Sequence, residues 1–600
     1  MTERLLRHEV DMEHTWDLSD LYASDADWEE AVTSLLALLP SVTAFQGHLG
    51  ESAEQLFQCL SAHEQLMEQF VRVSTYASLR QSEDGTNPAN QANSGKMAAV
   101  SAEISAGLAF INSEIAALPD GVVENFLEEY PELSVYRKSL QEILDYKPYL
   151  LSPQTEATLA SLGQALNGPY LIYQRGKSAD MQFRAVKDSS GAEHTVSFAL
   201  YEDVYEFTAD TELRRNAFDS FASTLRQYQN TFAATYATEI AKQVALARLR
   251  GFASTTDMLL HPQQVTRDMY ENLLDIIQTD LAPHMRRLAR LRQRVLGLET
   301  MRHCDLKVPL DPDFNPQTTI SQASQLIIDA LEVLGPEYVA NIRTGLSSRW
   351  VDYVDNVGKG TGAFCSSPYG VHPFILLTWG NTMRSTFVLA HELGHAGHFA
   401  LANRYQKLSN TRPSMYFIEA PSTMNEMLLA DHILAQTTDQ RMRRWVISQL
   451  LGTYYHNYVT HLLEAELQRR VYTLAEAGKS ITASLLSAQK GDVLSSFWGD
   501  AVTIDEAASL TWMRQPHYYM GLYPYTYSAG LTASTAIAKK IREEGTPAAE
   551  AWVNVLKQGG TKSPLELMKM AGVDMSKPGP IREAVAYVGS LIDELERSFD

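Results

Sequence analysis

Three cysteines in 600 residues, Cys59, Cys304 and Cys365, are too few and too scattered for a disulfide framework, and none stands in a CxxC pair. A metal site in this chain must therefore be built from histidine and carboxylate. Long apolar runs are lacking as well, and no stretch approaches the roughly 18 residues that a membrane-spanning helix needs. The opening MTERLLRHEVDMEHTWDLSDLY is charged and has no apolar centre, so no signal peptide is expected. Positive charge is in deficit: 50 Lys and Arg face 72 Asp and Glu, for a formal net charge of -22. That balance argues against nucleic acid or an anionic membrane as partner, because phosphate binding needs clustered cations. Internal repeats, low-complexity tracts and polar interdomain linkers are also missing. These absences together predict a soluble, cytoplasmic, globular protein, whose length implies more than one lobe.

What is present is mostly helical. Residues 35–39, 56–67, 97–118, 216–247 and 581–595 keep apolar side chains three and four apart with good helix formers between them. Two regions break that rhythm. Residues 181–200, MQFRAVKDSSGAEHTVSFAL, hold two alternating runs around Ser-Ser-Gly and predict a β-hairpin. A soft boundary is placed there, with an N-terminal helical lobe over 1–200 and a catalytic domain over 201–600. Residues 351–379 place Gly-rich turns around a short apolar run at 373–379 and predict a small sheet before the next helix. Such a sheet can offer a strand edge to an extended peptide.

That next helix carries the chemistry. STFVLAHELGHAGHFALANRY, residues 385–405, contains HExxH as His391, Glu392, Leu393, Gly394 and His395. Residues i and i+4 lie one above the other on a helical face, so both imidazoles can converge on one zinc ion at about 2.0–2.1 Å. Glu392, beside the first ligand, is placed to take a proton from water and return it to the leaving amine. A chance HExxH in 600 residues has an expected count of only about a few per cent, and the apolar setting lowers it further. A third ligand is required. His398 is nearest in sequence, but its Cα lies about 10.5 Å beyond that of His391 along the axis, too far for two short arms without strain. It is read as a histidine lining the site. Glu419 is the better candidate, because a new apolar pattern starts beside it at Ile418, Met424, Met427 and Leu428. A helix crossing the first would bring its carboxylate to the ion, giving a His₂Glu set with one open position. Glu426, two turns on, is placed to orient His391 or His395 by accepting an outer ring N–H; otherwise it is a surface carboxylate.

HELGHAGH followed by IEAPSTMNE resembles the thimet-oligopeptidase-like zinc metallopeptidases, and within them the oligoendopeptidase F branch. TWDLSDLY at 15–22, GKGTGAFC at 358–365 and WMRQPHYYMGLYPYTYSAG at 512–530 are similar to further motifs of that branch, so the likeness spans essentially the whole chain. The resemblance implies ligation by His391, His395 and Glu419, one zinc ion per chain, and Glu392 as base. It also implies a mainly α fold, in which two helical lobes flank a deep channel that admits short oligopeptides and excludes folded proteins. The branch places His and Tyr donors on a mobile segment near the C-terminus, where they stabilise the oxyanion of the reacting carbonyl. Here the stretch offers His517, Tyr518, Tyr519, Tyr523, Tyr525 and Tyr527. Tyr525 and His517 are favoured, with Tyr518 next, and Gly521, Pro524 and Gly530 are read as breaks in a bending loop. Two other readings stay open. One is a dipeptide-releasing carboxypeptidase, which needs a fixed cation such as Arg384 or Arg514. The other is a peptide-binding protein without catalysis, which an intact Glu392 opposes. Oligomeric state is not legible.

Overall fold

Ser24, Ser52 and Asp210 each accept a hydrogen bond from the backbone N–H three residues on, and Asn87 from the N–H two residues on. Each thereby satisfies one orphan donor at a helix start. The helices they cap, Asp25–Thr43, Ala53–Glu83, Pro88–Ala117 and Thr211–Arg250, account for four of the long periodic stretches. The computed structural model describes residues 4–600, so Met1–Glu3 of the opening stretch lie outside the described residues. Helices dominate throughout, as the periodicity predicts. No described helix is long and apolar enough to cross a membrane.

The strands are few and short. β1 (Val186–Lys187) and β2 (Glu193–His194) pair antiparallel as the expected hairpin. β3 (Val351–Asp352), β4 (Phe364–Ser366) and β5 (Phe374–Leu376) form the expected small sheet in the order β3-β5-β4, with β3 parallel and β4 antiparallel to β5. β4 is therefore an edge. The apolar run at 373–379 is apolar on both faces because β5 lies between two cores. Phe374 and Leu376 join the N-terminal cluster around Trp16, Leu56 and Ile111, while Ile375 and Leu377 join the larger cluster of the rest of the chain. Alternation along a strand makes one short segment serve both. Lys359, in the Gly-rich loop, is fully buried and ties Asp352 Oδ1 (2.6 Å) to the carbonyls of Val354 and Leu377, so this loop braces the sheet.

The C-terminal stretch differs from the expected loop. Pro524 occupies the first turn of a regular helix, Pro524–Glu544, that continues through Gly530. Proline at that position costs no hydrogen bond, and Gly530 is there for close approach instead of flexibility: a Cβ on it would meet Glu419 Cβ at 3.0 Å.

Candidate metal centre

Thr382 caps the metal helix, Met383–Tyr405, and Arg384, Val388, His391, His395 and Phe399 form a stripe along it at helical spacing. The stripe faces a cavity of about 1150 Å³. The opposite face is packed so closely that two positions must be glycine. A Cβ on Gly394 would meet Pro421 O and Ser422 Cα at 2.5 Å, and one on Gly397 would meet the Tyr338 ring at 2.6 Å. Those contacts come from the carboxylate helix, Ala420–Gln436, and from Tyr338. Asn425 fixes the crossing, donating to Ala390 O (3.1 Å) while accepting from the Tyr338 hydroxyl (3.0 Å). Glu419 immediately precedes the carboxylate helix, and this crossing delivers it to the two histidines.

Nε2 of His391 and Nε2 of His395 each lie 3.4 Å from Glu419 Oε2. The three donor atoms all fall within 4.8 Å of one another. Atoms held about 2.1 Å from a tetrahedral centre lie about 3.4 Å apart, so the set fits a divalent cation of zinc's size. The supporting contacts fit as well. Nδ1 of His391 donates to Glu426 Oε1 (2.7 Å), whose other oxygen accepts from Thr453 Oγ1 (2.9 Å), and Ser422 Oγ donates to Glu419 Oε2 (3.1 Å). Glu426 thus orients His391 in particular and presents Nε2 to the site. Burial alone would lower the His391 pKa, but the carboxylates of Glu419 and Glu426 outweigh it and raise it well above the usual range. Burial likewise opposes ionisation of Glu419, yet the two histidines hold its pKa well below that of a free carboxyl. Glu392 lines the same cavity at 5% exposure, with Oε2 free of any hydrogen-bond partner among the described residues, and burial raises its pKa.

Four other expected positions fall away from the cavity wall. His398 does not line it. The cavity stripe steps from His395 to Phe399, and His398, about 100° away from Phe399 around the axis, turns toward Phe417 (ring centroids 5.7 Å). It is fully buried with both ring nitrogens unpartnered, and burial holds its pKa at about 3. Tyr525 is 0% exposed and donates to Gln263 Oε1 (2.5 Å), with Tyr270 and Tyr416 against its ring. Tyr518 is buried and stacked on Tyr236. His517 sits one layer back, against His461, Tyr523 and Tyr527. For Tyr525 the reason lies in helical phase. Tyr523, Tyr527 and Gly530 follow at i, i+4 and i+7 on the face turned to Glu419, whereas Tyr525 is about 200° from Tyr523. Tyr527 lines the cavity, and burial together with the nearby Glu419 charge raises both the Tyr523 and Tyr527 phenols. The sequence offers both tyrosines among its candidates but does not favour them, since a bending loop carries no helical phase by which to rank them.

Behind Tyr527 stands a second polar cluster. Tyr527 stacks on His461 (4.2 Å, 13°), His461 Nδ1 pairs with Glu464 Oε2 at 3.0 Å, and its Nε2 lies 3.1 Å from His456 Nε2. Of the two arginines considered for a substrate carboxylate, Arg514 is committed to Glu202 (3.0 Å) and Glu206 (2.8 Å), while Arg384 lines the cavity.

Comparison with known proteins follows the same outline. The model of peptidase family M3 matches residues 204–587, and a model described as oligopeptidase F matches residues 114–183. Oligopeptidase PepF of Bacillus subtilis is 31% identical over 590 residues, covering 98% of this chain and 88% of its own. The crystal structure of a putative peptidase from Chlamydophila abortus superposes with a TM-score of 0.89 at 26% identity, over 99% of this chain and 100% of that one. Oligoendopeptidase-F from Enterococcus faecium gives a TM-score of 0.75 at 26% identity, over 96% and 99%.

Proposed function

This chain belongs to peptidase family M3, and from that premise we propose that it is a zinc-dependent endopeptidase cutting internal bonds of short oligopeptides, with His391, His395 and Glu419 holding the metal. The observation that carries the residue assignment is the convergence of those three donors beside the unpartnered oxygen of Glu392. Zinc, when bound, would supply a Lewis acid and lower the pKa of a water molecule. Glu392 receives the proton of the attacking water and passes it to the departing amine. Glu426 holds His391 in the tautomer that leaves Nε2 free to ligate. Tyr527 and Tyr523 donate toward the carbonyl oxygen as it gains charge, and His517, packed on both rings, holds them in place.

The depth of Glu392, 5% exposed, sets substrate size. A folded protein would have to unfold to reach Glu392, at a cost of about 5–15 kcal/mol, whereas a short peptide has no such stability to lose. The reading includes a division near residue 200 between a helical N-terminal lobe and the catalytic domain, supported by the hairpin at 186–194 and by family matches that end at 183 and resume at 204. It includes a reducing, cytoplasmic location, supported by three unpaired thiols.

One digest tests the function. A peptide ladder is mixed with a small protein, native and denatured, and cleaved by the enzyme with and without chelator, with masses read by spectrometry. Internal cuts in peptides that chelator abolishes are expected, with the native protein left intact. Glu392→Gln should keep its metal and lose about 10²–10⁴-fold in kcat. Near-normal turnover by a fully metallated variant would refute Glu392 as base, and efficient cutting of the native protein would refute the enclosed site.

A further inference from the structure

The cavity carries charge of the opposite sign to the molecule around it. Its acidic lining consists of Glu392, Glu419 and Glu426 at the metal centre and Asp311, which a bidentate pair with Arg441 neutralises (2.7 Å each). Against these stand four arginines on the cavity wall that have no carboxylate partner among the described residues: Arg292, Arg384 and Arg444, and, over the Phe399 ring at the other end of the metal-helix stripe, Arg412. The first three border one stretch of wall, residues 307–311, where Arg444 is close enough to Asp311 to help lower its pKa. Arg384 and Lys307 lie over the same Phe207 ring (5.3 and 5.7 Å), and Arg292 Nε donates to the next carbonyl along, Val308 O (2.8 Å).

Each is placed at an electrostatic cost. Arg384 is the second residue of the metal helix, where the helix dipole opposes a cation. Asp203 is close enough to sense its charge but makes no ion pair with it. The helix Gln440–Tyr454 begins with three arginines in five residues. Arg441 is paired with Asp311 and Arg443 with Glu594 (2.6 Å), while Arg444 has only Ser598 Oγ (3.1 Å) and the face of Phe599. Arg292 is enclosed enough that burial pushes its guanidinium down to about 10. Buried or dipole-opposed guanidinium groups without anions are costly unless a ligand completes them.

Position along the metal helix fixes the distance to the chemistry. Arg384 stands on the same stripe as His391, seven residues before it, or about 10.5 Å along the axis, which an extended peptide covers in about three residues. We propose that this end of the cavity is a carboxylate site: Arg384, aided by Arg444 and Arg292, receives a carboxylate of the bound peptide about three residues from the cut bond, either the C-terminus or an Asp or Glu side chain. The site rests on the peptidase reading above and adds a substrate preference to it. Peptides that are anionic at this distance bind ahead of neutral ones, and a fixed terminus measures off where the chain is cut.

Binding, not turnover, is the test. The Glu392→Gln protein is titrated with N-terminally fluorescein-labelled octapeptides that differ only in a C-terminal acid or amide, or in Glu or Gln at one internal position, and Kd is read from anisotropy. At least one carboxylate peptide should bind about tenfold or more tightly than its neutral twin, as a charge-assisted contact implies. The arm that responds identifies the source of the carboxylate. Adding Arg384→Gln, or separately Arg444→Gln, should cut that advantage to below about threefold. Equal binding of acid and amide and of Glu and Gln peptides, or an advantage that survives both substitutions, overturns the site. Because no cleavage is needed, such a result leaves the peptidase reading standing. Failure of the intact enzyme to cut peptides would strike that reading instead and leave a measured carboxylate preference untouched.

Discussion

Gly394, the fourth residue of HExxH, is where the packing of two helices and the geometry of the metal site can be perturbed together by one methyl group. On an isolated helix Gly394→Ala would gain about 0.8–1.0 kcal/mol from propensity. Here the new Cβ would lie 2.5 Å from Pro421 O and from Ser422 Cα, where ordinary contact begins near 3.4 Å, a deficit of about 0.9 Å. The obstructing atoms are backbone, so no side chain can swing away. The carboxylate helix itself must retreat, and Glu419 lies only two residues before Pro421. A ligand displaced by about 0.9 Å is far outside the roughly ±0.2 Å that a metal site tolerates. Overpacking should therefore reverse the propensity gain into a net loss of about 1–2 kcal/mol, and kcat/KM should fall by about 10² or more. Metal content after dialysis against graded chelator, urea unfolding and peptide turnover measure the three effects. Gly95→Ala is the control. It lies in the Pro88–Ala117 helix with nothing within 4 Å of its Cβ position and should gain about 0.5–1 kcal/mol. If Gly394→Ala keeps its metal, its activity and a raised Tm, the argument that this close crossing places Glu419 is wrong.

The other predictions concern the tyrosines and the buried charges behind them. Tyr527→Phe should lower kcat by about 10²-fold with little change in KM, whereas Tyr525→Phe should leave kcat near normal and cost about 1–3 kcal/mol of stability by stranding Gln263; the reverse pattern would put Tyr525 at the reaction. Glu206 is buried, which alone would raise its pKa, but Arg514 and Lys307 outweigh burial and hold it at about 2. A carboxyl depressed in the folded state stabilises above its unfolded pKa near 4.5, and the benefit fades as pH falls from there toward 2, so the stability gap between wild type and Glu206→Gln should narrow by about 1 kcal/mol between pH 7 and pH 4. A gap in urea unfolding that is constant or widens over that range would refute it.

How much of this was legible in the sequence depends on whether the information was periodic. HExxH was readable because i, i+4 spacing is intrinsic to a helix, and Glu419 because the apolar pattern that restarts at Ile418 marks the start of a crossing helix. The small sheet was readable from its turns, but the reason β5 is apolar on both faces was not. That required knowing that Phe374 and Ile375 enter different cores. Which face Tyr525 takes was not legible, because a loop has no helical phase. Pro524 and Gly530 suggest breaks, yet proline at a helix start is compatible with helix and Gly530 is demanded by the approach of Glu419. With the segment helical, phase alone separates Tyr523 and Tyr527 from Tyr525. His398 differs from expectation by a smaller angle, since the cavity stripe runs through Phe399 and turns the preceding residue into the core.

The charge distribution completes the account, because its two signs act over different ranges. Net charge of -22 is spread over a surface where ions screen interactions beyond about 8 Å at physiological salt. An anionic peptide therefore meets only weak repulsion until it is near the protein. Inside the cavity, contacts of hydrogen-bond length are decided by the nearest side chains. Arg384 and Arg444 then outweigh the distant surface, while Glu392, Glu419 and Glu426 remain concentrated at the metal. A carboxylate held at the arginine end is kept away from those three acids, and the uncharged peptide bond is what lies against them. The same partition explains why composition alone misleads. An acidic total excludes a broad basic face for polyanions, but it says nothing against a few arginines enclosed where one carboxylate is enough to satisfy them.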